Sequence, residues 1–182
     1  ANSAGTVVYA EYRDIPMTGS TYTFDLTAEE RNALRWATIN SPNLAVKFYV
    51  TTVIGGQTFY STQDKIMTIA NANPLVDIVV EDRGGTSRAL TGSPARIIKG
   101  FNYVVATIDA TPLKGASIKE IKTTNGSNVV TGSEAVFDNT ESAVFDIVVT
   151  DSRGYSTPVT ITKELIDYVK LTSHLEATNP TT

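Results

Sequence analysis

Short runs of apolar and β-branched residues recur throughout the second half of the chain. Gly, Pro, Asn or Asp stands at most of the breaks between these runs, and such residues favour turns. Seven runs share this rhythm: 75–80, 95–98, 103–109, 116–123, 128–137 with a break at Gly132, 143–150 and 155–165. Short strands at this regular spacing predict an antiparallel, immunoglobulin-like β-sandwich over residues 74–170.

The first half of the chain changes its hydrophobic period twice. Two β-like runs, 6–12 and 20–26, precede Thr27 and Glu30, whose spacing is that of a capping box and predicts a short helix over residues 28–38. Apolar and polar residues then alternate over 44–51, which predicts a strand with one buried face. Gly55 and Gly56 predict a tight turn into 57–61, completing a hairpin, and 65–70 is a further predicted strand.

A short polar segment, residues 71–74, separates the two halves and ends in Pro74. We interpret it as a hinge crossed by few contacts, because boundaries between domains fall in such segments. The predicted organisation is an N-terminal β module with one short helix (1–73) and an immunoglobulin-like sandwich (74–170). Residues 171–182 are either a polar tail or the start of a truncated further module.

Composition supports an all-β class, because 74 of the 182 residues are of the strand-favouring types Val, Ile, Thr, Tyr, Phe and Trp, and it excludes several kinds of function. With 15 Lys and Arg against 19 Asp and Glu, the net charge of −4 argues against nucleic-acid binding. No cysteine is present, which excludes disulfides and thiolate chemistry. No apolar stretch approaches the length of a membrane span. Together with the strand spacing, this composition predicts an all-β fold of tandem immunoglobulin-like antiparallel sandwich modules, the first smaller than the second.

The chain offers little that points to catalysis or to a bound cofactor. The only histidine, His174, lies in the weakly patterned C-terminal segment, and the motifs of hydrolase nucleophiles, phosphate loops and dinucleotide sites are missing. Two groups of carboxylates lie beside turns, where acidic residues are ordinarily solvated or capping groups: Asp77, Glu81 and Asp82, and Asp138 with Glu141. We predict that the chain is not an enzyme and has no catalytic, cofactor or metal-binding residues, with calcium at the first group as an open alternative.

Aromatic residues provide the candidate contacts for a glycan. Tyr49 and Tyr60 belong to the predicted hairpin and Trp36 to the helix, and exposed rings of this kind can stack on sugars. These three are the candidate glycan contacts. The alternative is structural: Phe48 and Phe59 fill the core of the first module and Trp36 closes one end of it. Residues 125–127 match a glycosylation sequon, but Asn125 and Gly126 also predict a tight hairpin turn.

Several motifs together resemble a known family. They are 24–35 (FDLTAEERNALR), 40–42 (NSP), 46–48 (VKF), 54–56 (IGG), 70–74 (ANANP), 149–154 (VTDSRG) and 167–171 (DYVKL). In this combination they resemble a module of unknown function in minor structural proteins of siphoviruses that infect Gram-positive bacteria. The resemblance spans most of residues 20–175. Its motifs are turns and helix caps, so no catalytic or ligand-binding residue is carried over from the family.

The resemblance implies a place in the virion, outside the bacterial cell. In that family such modules are strung along large tail-tip, baseplate or fibre proteins, so it implies contacts with other tail subunits and a homo-oligomeric parent protein. We therefore expect a rigid spacer near the host-recognition apparatus. A module that binds carbohydrate or the host cell wall is one alternative, and a repeat of a bacterial surface adhesin is another.

Overall fold

The computed structural model describes residues 13–15, 23–70 and 72–169, and its first helix begins where the capping box predicts. Thr27 precedes α1 (Ala28–Ala37), and its Oγ1 accepts a hydrogen bond from the Glu30 backbone N–H at 3.2 Å. The Glu30 carboxylate accepts one from the Thr27 N–H at 2.7 Å. Both bonds satisfy N–H groups that a helix end otherwise leaves without partners. The predicted helix is confirmed.

The predicted hairpin is also confirmed, and it is longer than the sequence pattern indicates. It consists of β1 (Asn43–Ile54) and β2 (Gln57–Thr68), with Ile54 opposite Gln57 across the turn. Gly55 and Gly56 have φ values of 58° and 78°. A two-residue hairpin turn of type I′ requires positive φ at both positions, and glycine adopts it without strain. The run predicted as a separate strand at 65–70 is the continuation of β2, because the ladder extends without a break to Thr68.

The remaining described chain forms nine strands and one further helix: β3 (Leu75–Asp82), α2 (Gly85–Thr91), β4 (Arg96–Ile98), β5 (Tyr103–Thr111), β6 (Ile118–Asn125), β7 (Asn128–Thr131), β8 (Glu134–Asp138), β9 (Val144–Asp151), β10 (Ser156–Thr162) and β11 (Glu164–Ile166). Every predicted run from residue 75 onward overlaps at least one of these strands. The sequence reading missed α2. Of the earlier runs, 6–12 and 20–22 lie outside the described residues, and 23–26 form no strand.

The strands form a mostly antiparallel β structure, which confirms the all-β class. The larger sheets have the orders β10-β9-β6-β7 and β3-β5-β8, and two-stranded sheets are formed by β1 with β2 and by β11 with β4. The β11–β4 pair is parallel, joining Leu165 to Ile97 in register.

Burial alternates along the strands that supply the core. In β8 every second residue is buried, and in β9 Phe145, Ile147 and Val149 are each at most 1% exposed. This is the period of a strand with one face covered. Phe145 packs edge-on against Phe137, with ring centroids 5.6 Å apart. The alternation along β9 therefore separates a buried face from a more exposed one.

One tight turn differs from its prediction by one residue. The sequence places Asn125 and Gly126 at its centre, but Asn125 is the last residue of β6 and pairs with Asn128, which leaves Gly126 and Ser127 as the loop. Asn125 is 2% exposed, and its side-chain amide donates to the carbonyls of Ser142 and Val144 at 3.0 Å and 2.9 Å. The sequon asparagine is therefore a buried structural residue.

The chain divides into two compact units, each assembled from three stretches. The first comprises Ala1–Asp77, Asp109–Ile121 and Val148–Pro158, and the second comprises Ile78–Ile108, Lys122–Ile147 and Val159–Thr182. The boundary predicted at 73/74 falls inside the first unit. Among the described residues no helix has both the length and the apolar character needed to cross a membrane. The predicted C-terminal tail lies outside the described residues.

The segment interpreted as a free hinge is held in place within the first unit. Ala72 is fully buried. The Asn73 side-chain amide donates to the Ser156 carbonyl at 2.5 Å, and the Thr157 hydroxyl donates to the Pro74 carbonyl at 2.6 Å. The expectation that few contacts cross this segment is therefore wrong, because a strand more than eighty residues away in sequence binds its polar groups.

A buried arginine fixes the C-terminal end of α1 within the same unit. Arg153 is 4% exposed, although it lies in the turn after β9. Its Nε donates to the Thr38 carbonyl at 2.7 Å, and its Nη2 donates to the carbonyls of Arg35 at 3.1 Å and Lys114 at 2.6 Å. Its Nη1 donates to the Leu113 carbonyl at 3.1 Å. A cation at this position complements the negative end of the helix dipole.

Candidate functional site

The hairpin of β1 and β2 is the most exposed regular structure among the described residues. Val46 is buried, but beyond it nearly every residue of both strands is exposed to solvent. Tyr60 is 81% exposed and Ile66 is 73% exposed. A strand of a typical half-buried sheet exposes only alternate residues. The distal part of this hairpin, residues 47–64, is therefore largely exposed on both faces.

Large apolar side chains are distributed over both faces of the hairpin. Residues directly opposite in the ladder share a face, and the register pairs Thr51 with Tyr60 and Tyr49 with Thr62. The first face presents Tyr49, Val53, Tyr60 and Ile66, and the second presents Phe48, Val50, Ile54 and Phe59. We call these eight residues the hairpin surface. Exposed apolar patches of this kind mark interaction sites in folded proteins.

The base of the hairpin is anchored within the first unit. The Tyr155 hydroxyl donates to the Ile69 carbonyl, and the Lys114 ammonium donates to the Ala70 carbonyl. On the hairpin itself, Lys47 and Asp64 form an exposed ion pair with 3.6 Å between Nζ and Oδ1. An exposed pair of this kind adds little stability. The hairpin is thus held at its base, while most of its distal part is exposed to solvent.

Two of the three predicted glycan contacts lie together on this surface. Tyr49 and Tyr60 are on the same face and are diagonal neighbours, a relation that places Cα atoms about 7–8 Å apart. Trp36 is 67% exposed on α1 and belongs to a different element. The structure therefore joins the two tyrosines in one surface and leaves Trp36 outside it.

The structural alternative for the aromatic residues is wrong. Phe48 and Phe59 were expected to fill the core, but they are 38% and 53% exposed, and Trp36 does not close a core. Phe48 has an edge-on contact with Phe24, with ring centroids 6.4 Å apart, and this covers only part of it. The sequence held one signal of this outcome: from Phe48 to Ile54 both alternating sets contain large apolar residues, whereas a half-buried strand has them in one set only.

Two of the carboxylates considered for catalysis, Asp82 and Glu81, bind other groups of the protein. Asp82 is fully buried, and its Oδ1 accepts hydrogen bonds from the backbone N–H groups of Gly84 at 2.8 Å and Tyr103 at 3.1 Å. Its Oδ2 accepts a bond from the Ser87 hydroxyl at 2.5 Å. Glu81 forms an ion pair with Arg83 at 3.6 Å. Asp82 therefore connects the start of α2 to β5, and both of its carboxylate oxygens accept hydrogen bonds from the protein.

Two cavities in the described part of the chain are too small for a typical ligand. The first, about 200 Å³, lies in the first unit between α1 and the hairpin base and is lined by apolar residues that include Leu34, Leu44 and Met67. The second, about 190 Å³, lies beside α2 in the second unit and includes Ser87 and Asp138. Both are smaller than the roughly 300–1,000 Å³ of typical ligand pockets. Among the described residues, no group of three or more His, Cys, Asp or Glu could hold a metal ion.

Comparisons with models of protein families, with curated proteins and with solved structures find no match for this chain. The hairpin surface and the sequence motifs are therefore the features of this chain that bear on its function.

Proposed function

We propose that this chain is a virion structural module, a rigid spacer and assembly element of a phage tail-tip, baseplate or fibre protein near the host-recognition apparatus. The single observation that carries the proposal is the hairpin surface, with large apolar side chains exposed on both faces. The resemblance of residues 20–175 to minor tail proteins supports the biological setting. Other tail subunits are the proposed partners, within a homo-oligomeric parent protein.

The hairpin surface favours assembly because a two-stranded hairpin has little stability of its own. An isolated hairpin is marginally stable in water, and stable sheets need a third strand or a packed face. Both strands here have twelve residues, yet only the base is covered. A neighbouring protein that covers or extends the hairpin would remove exposed apolar area from water, which is the main driving force of association.

The spacer role also requires a defined module, and we propose that residues 74–170 form an immunoglobulin-like sandwich. The regular strand spacing and the two larger antiparallel sheets support this assignment. Such modules act mechanically, by holding a receptor-binding element at a set distance.

Immunogold labelling tests the proposed location. Antibodies raised against the purified chain should decorate the tails of phage particles released by bacteria that carry the gene. Antibodies preincubated with the purified chain serve as the control and should give no label. Gold on the surface of bacteria that release no particles would contradict the proposal and favour the surface adhesin.

A carbohydrate-binding module is the second candidate, favoured by the exposure of Tyr49 and Tyr60 on one face. It predicts that the purified chain sediments with host cell walls in a saturable manner. Changing either tyrosine to Ala should abolish sedimentation, while Tyr103→Ala, which alters a half-exposed tyrosine of β5, should not. Absence of saturable binding by the wild-type chain would exclude this candidate.

A further inference from the structure

We propose that the outer edge of β1 pairs with β1 of a second copy of this chain, antiparallel and centred on Thr51. The pairing would join two hairpins into one four-stranded sheet in the order β2-β1-β1-β2. This inference rests on the proposed assembly role and adds the identity of the partner and the edge that it uses.

The hairpin has unpaired hydrogen-bonding edges. Within the described chain, β1 and β2 form a sheet of only two strands, so no other described strand bonds to the outer edge of either. Such an edge presents a row of free N–H and C=O groups that can bond to another strand. Addition of a strand to an edge of this kind is a common mode of recognition between proteins.

Apolar content distinguishes the two edges. Natural edge strands are protected against pairing by charged residues, especially lysine, and by proline. Residues 48–54 of β1 and residues 57–63 opposite them on β2 have neither charge nor proline, so neither distal edge is protected in this way. Five of the seven residues of the β1 segment are large and apolar, whereas five of the seven in the β2 segment are Gln, Thr or Ser. Pairing along β1 therefore brings more apolar side chains together than pairing along β2 does.

The same segment is self-complementary when Thr51 lies opposite its own copy. In this register Phe48 lies opposite Ile54, Tyr49 opposite Val53, and Val50 opposite Thr52. Each pair keeps its members on one face, because antiparallel partners share a face. Every large apolar residue of the segment except Val50 thus meets another one, and aromatic with β-branched pairs are among the favourable cross-strand combinations.

Like charges exclude the competing register near the base of the hairpin. A pairing centred on Lys47 would place two lysines directly opposite each other, which is destabilising. In the register centred on Thr51, Lys47 lies outside the paired segment and keeps its ion pair with Asp64. A two-fold arrangement of this kind uses the same surface on both copies and closes as a dimer.

Sedimentation velocity over a concentration series tests the proposal with the purified chain. The wild type should dimerise, and Thr51→Lys, which places two lysines opposite each other at the two-fold axis, should weaken the dimer at least about tenfold in Kd. Thr62→Lys is the matched control: it lies exposed on the same face of the hairpin, but on β2, and should change Kd less than about twofold. Circular dichroism establishes that both variants are folded.

A cysteine variant gives an independent readout, because the chain has no cysteine of its own. Thr51→Cys should form a disulfide-linked dimer on mild oxidation, since directly opposed residues in antiparallel strands have a Cα separation within the disulfide range. Thr62→Cys should remain monomeric on a non-reducing gel.

The proposal is wrong if the wild type is monomeric at every concentration, or if both lysine variants weaken the dimer equally. Equal amounts of disulfide-linked dimer from Thr51→Cys and Thr62→Cys would also contradict the proposal. These outcomes leave the proposed location untouched, because immunogold labelling of tails does not depend on which edge pairs. Labelled tails together with a monomeric chain would overturn this inference alone.

Discussion

Removal of the buried guanidinium of Arg153 should destabilise the first unit strongly. The informative change is Arg153→Met, which keeps most of the aliphatic volume and deletes every donor. In the wild type, this side chain donates four hydrogen bonds to main-chain carbonyls at 2.6–3.1 Å. Two of these carbonyls belong to Arg35 and Thr38, at the C-terminal end of α1, so the change also removes a cation from the helix terminus.

The change in the free energy of unfolding follows from the hydrogen bonds that are lost and from the cost of burying a cation, which is recovered. Hydrogen bonds from a charged donor contribute about 1.5–3 kcal/mol each, so four amount to about 6–12 kcal/mol before desolvation. No ion pair to Arg153 occurs among the described residues, and burying a cation costs several kcal/mol, which the substitution recovers.

The carbonyls that lose Arg153 are not all left without donors. Those of Arg35, Thr38 and Leu113 keep another hydrogen bond, from the N–H groups of Thr38 at 3.2 Å, Ser41 at 3.3 Å and Ala116 at 3.1 Å. The penalty for unsatisfied acceptors is therefore small. We expect a net loss of about 3–4 kcal/mol for Arg153→Met, with about half of that for Arg153→Lys, whose single ammonium cannot reach all four carbonyls.

Equilibrium unfolding in urea measures the effect. With a slope of about 2 kcal/mol per molar urea, the midpoint should fall by about 1.5–2 M. Arg88→Met, at an exposed arginine of α2, is the matched control and should change the free energy of unfolding by less than about 0.5 kcal/mol. Hydrogen exchange should show faster exchange of the amides of α1 in Arg153→Met. Equal midpoints for Arg153→Met and Arg88→Met would refute the reasoning.

Three further substitutions test the fold by urea unfolding. Thr27→Ala should destabilise the protein by about 1 kcal/mol by removing the cap oxygen that binds the Glu30 N–H, and an unchanged midpoint would contradict the capping role. Gly154 has φ 92°, and a Cβ added there would meet no other atom, so Gly154→Ala should cost about 1–2 kcal/mol from backbone strain alone. Gly85→Ala is the control: a Cβ there also meets open space, but φ is not positive, so this change should not destabilise the protein. Phe145→Ala should cost about 3–5 kcal/mol because the ring is fully buried, and a loss below about 1 kcal/mol would show that the core collapses around the gap.

Part of the candidate site was predictable from the sequence. The hairpin, its glycine turn and the exposure of Tyr49 and Tyr60 agree with the sequence reading, because each follows from a short pattern and a glycine pair that adopts positive φ. Its length was not predictable, since the polar residues from Ser61 to Asp64 interrupt the apolar pattern while the backbone ladder continues. Helix α2 was missed because its first residues, Gly85, Thr86 and Ser87, are weak helix formers. In the structure, α2 is connected to β5 by Asp82, which accepts hydrogen bonds from the Ser87 hydroxyl and the Tyr103 N–H.

The sequence by itself determined the elements, and the tertiary structure decided which of them are covered. The capping box, the glycine turn and the alternation of residues 144–150 act through neighbours a few positions apart, so they are legible in the chain. Burial is not local: Phe48 and Phe145 both lie in strands with apolar residues at alternate positions, yet one is 38% exposed and the other fully buried. Arg153 stands in a turn, where exposure is the expectation, and is buried because it meets carbonyls 115 and 118 residues away in sequence. Such contacts depend on how distant segments pack together, and no short pattern in the chain encodes them.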